Sequence, residues 1–157
     1  MKKVFHLESA RENYHADAAV LWCFDYRFDL VFRKFLRRIG ITNYDAIKVA
    51  GGAKLLASPE QEVEPDFVLD QIRKSIQLHG TRLAILMVHS DCGAYGGLPA
   101  FGGDGIAEVE HHRRELERAA AKLRAAIPQI EVRSYFVDFE GVWEIETGKD
   151  SHLLAST

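Results

Sequence analysis

The chain has 157 residues, 47% of them apolar, which suits a single domain (1–157) with a sizeable core. Its net charge of −3, with no basic run interleaved with aromatics, argues against nucleic acid as a partner. No apolar stretch reaches the roughly 18–20 residues that cross a bilayer, and residues 1–8 lack the apolar segment of a signal peptide, so a reducing, cytoplasmic location is expected.

Taken in chain order, the pattern alternates strand and helix. Residues 18–23 are an unbroken apolar run, as in a strand buried on both faces of a parallel sheet. Residues 30–39 follow as a helix, with Leu30, Val31, Phe35, Leu36 and Ile39 at helical spacing and Gly40 closing it. A short strand is expected over 45–50, ending in Gly51-Gly52. The helical pattern returns over 65–78 through Val68, Leu69, Ile72 and Ile76, and Gly80 ends it. Residues 83–88 form the strongest strand. The glycine-rich stretch 93–105 reads either as a lid or as plain connection. The longest helix spans 105–126, with Val109, Leu116, Ala120 and Leu123 on one face, and stops before Pro128. The last strand of the series covers 130–139, and 141–145 turns back as an antiparallel edge. This is an α/β fold, a mostly parallel central sheet flanked by helices, with its core in 18–139 and a small polar tail at 147–157.

The only two cysteines sit in short polar motifs: Cys23-Phe24-Asp25-Tyr26-Arg27, and His89-Ser90-Asp91-Cys92-Gly93. Two thiolates and one imidazole suit a borderline-soft ion such as Zn²⁺, and three ligands leave a fourth tetrahedral position open for water or substrate. Cys23 and His89 both fall at carboxyl ends of expected parallel strands, where open α/β sheets build their sites. The competing reading makes both cysteines ordinary buried thiols, or a disulfide in an exported protein.

Cys-x-Asp-x-Arg after one strand, followed by His-x-x-Cys-Gly after a later one, resembles the β-class carbonic anhydrases, zinc enzymes that interconvert carbon dioxide and bicarbonate. The likeness runs over about 18–139 and is nearest the short, compact members. It implies that Cys23, His89 and Cys92 ligate zinc and that Asp25 and Arg27 form a catalytic dyad. It also implies a homodimer or larger homo-oligomer. Zinc lowers the pKa of bound water toward about 7 in the three-histidine carbonic anhydrases, and two thiolates should make that water less acidic. Asp25 would orient the hydroxide, and the planar Arg27 fork would keep Asp25 ionised and aimed. In some relatives the same aspartate turns inward as a fourth metal ligand, here expected below neutral pH. Phe24, Tyr26, Val49 and Leu98 are the expected walls of a small apolar pocket. Where the family carries Arg-Asn before Ala-Gly, this chain has Lys48-Val49.

Three functions follow: hydration of carbon dioxide, the same chemistry on carbonyl sulfide or carbon disulfide, and a non-catalytic zinc-binding role. Among the remaining histidines, His111-His112 on the long helix is either solvated or a proton shuttle. His6, His15, His79 and His152 are expected at the surface. Asp91 either orients His89 or caps the turn after it.

Overall fold

The computed structural model describes residues 1–148. Nine regular elements are used below: β1 (Ala18–Trp22), α1 (Asp29–Arg38), β2 (Tyr44–Lys48), α2 (Lys54–Ala57), α3 (Val63–His79), β3 (Leu83–His89), α4 (Gly105–Ala126), β4 (Glu131–Val137) and β5 (Val142–Ile145). The strands make one sheet in the order β2-β1-β3-β4-β5, parallel except for the antiparallel β4–β5 edge.

Side-chain alternation divides the core between two faces. Ala19 and Leu21 of β1, with Ala84, Leu86 and Val88 of β3, pack against α2, α3 and α4 through Leu56, Val68, Ile72, Leu116 and Leu123. The intervening residues Ala18, Val20, Trp22, Ile85 and Met87 pack beneath α1, against Phe28, Phe32 and Leu36. Every residue of β1 and β3 is buried, which is why both read as unbroken apolar runs rather than alternating ones. Each large side chain so buried contributes about 1.5–3 kcal/mol.

The chain runs from β1 outward to β2, then crosses back to place β3 on β1's other side, so β1 and β3 flank the topological switch point. The register sets Leu21 beside Leu86, and the segments leaving both strands emerge together.

The expected elements are all present with no end shifted by more than two residues, and the helix over 105–126 has the expected limits. Asp104 caps it, accepting from the amides of Ile106 and Ala107. Three features had no periodic signal. The four-residue helix α2 follows the glycine pair, and the glycine-rich segment is built from two 3-10 turns, Gly93–Tyr95 and Leu98–Phe101. That segment is stitched by backbone bonds such as Tyr95 N to Cys92 O and Gly97 N to Cys92 O, both 2.9 Å. It is therefore a folded segment, nearer the plain connection than the lid, the two readings that its composition left open.

Candidate metal centre

Cys23 is the first residue after β1, His89 is the last of β3, and Cys92 follows three residues on. All three are buried, and their donor atoms lie within 4.8 Å of one another. The ring of His89 is clamped between Trp22 and Phe28, at centroid separations of 5.8 and 4.6 Å. Its Nδ1 lies 2.8 Å from the Ser90 carbonyl oxygen. A carbonyl can only accept, so Nδ1 carries the proton and Nε2 presents a lone pair. That Nε2 is fully buried without a hydrogen-bond partner among the described residues. An orphaned imidazole nitrogen facing two cysteine sulfurs is costly in a metal-free interior, and it is the arrangement a tetrahedral N/S-loving ion would satisfy.

The turn under Cys23 explains the glycine pair. The amide of Gly51 donates to Cys23 Sγ at 3.4 Å. Gly52 has φ +55°, and a Cβ there would lie 2.5 Å from Met87 O and 3.0 Å from Cys23 N. Only glycine lets this turn pass so close to β1 and β3. The Cys23 thiol is pushed down, foremost by a hydrogen bond from Cys92 and further by the Asp25 and Gly51 amides, against burial. Cys92 is pushed up, first by its bond to Cys23 and then by burial. The pair thus gives up one proton readily and holds the second. A bound dication would reverse the second effect.

Asp25 and Arg27 meet as a fork. Asp25 Oδ1 accepts from the Arg27 amide at 3.0 Å, and its two oxygens accept from Arg27 Nε at 3.1 Å each and from Nη2 at 2.7 Å. These bonds hold the Asp25 carboxyl below its usual range despite its partial burial. The far side of the guanidinium is held as well: Nη1 donates to Asp91 Oδ2 at 2.9 Å and Nη2 to Asp91 O at 3.0 Å. The guanidinium also lies over the rings of Phe28 and Phe139, at 5.7 and 5.6 Å. Asp25 Oδ2 is 3.9 Å from His89 Nε2, beside the donor cluster but engaged with Arg27.

Asp91 caps the turn that follows it, accepting from Leu98 N at 2.9 Å through Oδ1, with a left-handed φ of 52°. His89 is oriented instead by Ser90. Phe24 and Tyr26 are exposed and do not wall a pocket in this chain, whereas Val49 and Leu98 are half-buried. Lys48 is spent on an ion pair with Asp29 at 2.7 Å. The histidine pair is split. His111 is half-buried, and His112 is fully buried with neither ring nitrogen bonded, packed against Tyr95 and Phe136. Burial pushes His112 down to about 4, so it is neither solvated nor poised to shuttle protons near neutrality. His79 is half-buried and bonded to Asp45 at 2.8 Å, His6 and His15 are exposed, and His152 lies outside the described residues.

One contributor was not singled out from the sequence. Glu108 of α4 is buried, and accepts from Ser90 Oγ and from Asp91 N, each at 2.6 Å. The available signal was a carboxylate on the inner stripe of α4, four residues before His112 and eight before Leu116.

Comparison with known proteins adds the family. A solved β-carbonic anhydrase from Trichomonas vaginalis superposes with a TM-score of 0.59 at 16% identity, covering 92% of this chain and 90% of that one. A carbon disulfide hydrolase gives 0.51 at 18% identity, covering 89% and 86%. At such identities these likenesses establish the fold. An uncharacterised protein of Rickettsia bellii is 24% identical over 150 residues, 91% of this chain and 92% of its own length. The family described as "Putative carbonic anhydrase" matches residues 14–147, and the chain belongs to that family.

Proposed function

We propose that this protein is a zinc enzyme catalysing the reversible hydration of carbon dioxide to bicarbonate, with Cys23, His89 and Cys92 holding the ion and Asp25 and Arg27 serving the reaction. A zinc ion held there would supply a Lewis acid that lowers the pKa of water into the neutral range. The observation that carries the reading is the Asp25 carboxylate, forked by Arg27 and 3.9 Å from the unpartnered His89 nitrogen. Asp25 is an acceptor beside the donor cluster, suited to taking a hydrogen bond from water and aiming its lone pair. Arg27 keeps that carboxyl ionised, and Asp91 with Phe139 keeps Arg27 from swinging away. Hydration adds one water to carbon dioxide and releases one proton, which a carboxyl held ionised by Arg27 does not retain, so the proton passes to solvent or buffer. His112 is not its carrier.

The competing substrate is carbon disulfide or carbonyl sulfide, since the fold is shared with a carbon disulfide hydrolase. Stopped-flow hydration of carbon dioxide by protein loaded with one zinc per chain separates them. The expected result is hydration well above the buffer rate. Turnover of carbon disulfide alone would move the reading to that substrate, and turnover of neither would leave a non-catalytic zinc protein. Two free cysteines support a reducing, cytoplasmic setting. Exposed Phe24, Tyr26, Leu30 and Phe139 beside the site support a homo-oligomer, which sedimentation would detect.

A further inference from the structure

The peptide group between Ser90 and Asp91 is bonded at both ends. Its carbonyl, Ser90 O, accepts from His89 Nδ1 at 2.8 Å. Its amide, Asp91 N, donates to Glu108 Oε1 at 2.6 Å. Glu108 is 1% exposed, and its second oxygen accepts from Ser90 Oγ at 2.6 Å, so the carboxylate is fixed against the turn that carries two of the three donor residues.

Resting on the metal-centre reading above, we propose that Glu108 is a positioning residue for His89, acting through one peptide unit. The line runs from carboxylate to peptide to imidazole, ending at the lone pair on Nε2. A metal-bound histidine commonly gives its other ring proton to a carboxylate or a carbonyl, which fixes the ring and raises its basicity. Here both devices are in series. A carboxylate drawing on the amide end polarises the carbonyl end, because bonds in a chain strengthen one another. The Ser90 carbonyl thus becomes a better acceptor for the Nδ1 proton, and Nε2 a better donor to metal. The same bonds hold Asp91 at its left-handed φ of 52°, so that its side chain can meet Arg27 and Leu98. Glu108 therefore ties α4 to both halves of the site without touching either.

The test is zinc affinity, by competition with a chelator, in wild type, Glu108→Gln and Ser90→Ala. Glu108→Gln keeps the shape and removes the charge. The expected result is a fall in affinity of about 10- to 100-fold and a shift in the visible spectrum of the cobalt-loaded protein, with melting of the metal-free chain little changed. Ser90→Ala deletes one bond to Glu108 but spares the peptide line, and should lose clearly less affinity than Glu108→Gln. Unchanged affinity in a folded Glu108→Gln overturns the relay alone. Equal losses in both variants also overturn it, since Glu108 would then be a simple anchor. A wild-type chain that holds no zinc overturns the metal-centre reading and the relay with it. Should Glu108→Gln not fold, the wild-type Asp91 amide decides. A far-downfield Asp91 amide proton that shifts when zinc occupies the site supports the relay, and one that does not respond to zinc contradicts it.

Discussion

Replacing Gly52 with alanine perturbs the turn that the whole site leans on. The new Cβ would sit 2.5 Å from Met87 O, 3.0 Å from Cys23 N and 3.2 Å from the Trp22 carbonyl carbon. All three are backbone atoms of, or next to, the buried strands β1 and β3, so none can yield without moving the sheet. Left-handed φ costs a non-glycine residue about 1–2 kcal/mol, and overpacking of this kind adds about 1–3 kcal/mol. The sum is about 2–5 kcal/mol, or a melting temperature lower by about 4–20 °C at the usual 2–4 °C per kcal/mol for a chain of this size. Gly40→Ala is the control, because Gly40 has φ +83° with nothing within 4 Å of its Cβ position. It should show the dihedral cost alone, about 1–2 kcal/mol. Urea denaturation of both variants measures the difference. Equal destabilisation of the two would refute the claim that the turn is packed to backbone contact there. Because Gly51 N donates to Cys23 Sγ, Gly52→Ala should also weaken zinc binding, whereas Gly40→Ala should not.

Asp25→Asn should retain zinc but lower kcat/KM for carbon dioxide by about 100-fold or more, read by stopped flow beside a metal assay. The pH response follows from Arg27. Because the Asp25 carboxyl is depressed in the folded chain, its ion pair is in place above the ordinary carboxylate range and is lost only as pH falls through the lowered folded value. Asp25, engaged with Arg27, should therefore add no inflection to a hydration profile between pH 6 and 9, contrary to the inward turn below neutral pH that the family resemblance suggested, and Arg27→Lys, which loses the fork, should bring an acid limb upward toward that window. Removing zinc with a chelator should lower the melting temperature by about 8–16 °C relative to protein in zinc at a thousandfold its Kd, since that excess stabilises the folded state by about 4 kcal/mol. Coincident melting curves with and without chelator would contradict a site that binds zinc in the folded chain.

Much of this arrangement was legible in the sequence, because the physics that set it is local. β1 and β3 are buried on both faces, so their burial appears as apolar runs, and the residues leaving such strands are natural site residues in a parallel sheet. Cys23, Asp25, Arg27, His89 and Cys92 were identifiable on that basis and lie together. What was not legible depends on contacts across the chain. His111 and His112 were read as one pair, yet the step of about 100° between neighbours on a helix turns His112, four residues before Leu116, against Phe136 and leaves His111 half-buried. Phe24 and Tyr26 flank the motif residues but point out of the fold because the 3-10 turn Tyr26–Phe28 sends Phe28 inward instead. Glu108 reads as one more carboxylate among many on a charged helix. Its bonds to Ser90 and Asp91 exist only once α4 lies across the end of β3. The glycine-rich segment suggested mobility, whereas its glycines serve tight 3-10 turns anchored on Cys92 and Asp91.

The central claim is a Cys₂His zinc centre with one position free for water. X-ray absorption at the zinc edge tests it most directly, on wild type and on Asp25→Asn. The account predicts two sulfurs near 2.3 Å and two nitrogen or oxygen neighbours near 2.0 Å, with the shell unchanged in the variant. A shell without two sulfurs, or one that loses a neighbour when Asp25 is replaced, would contradict it.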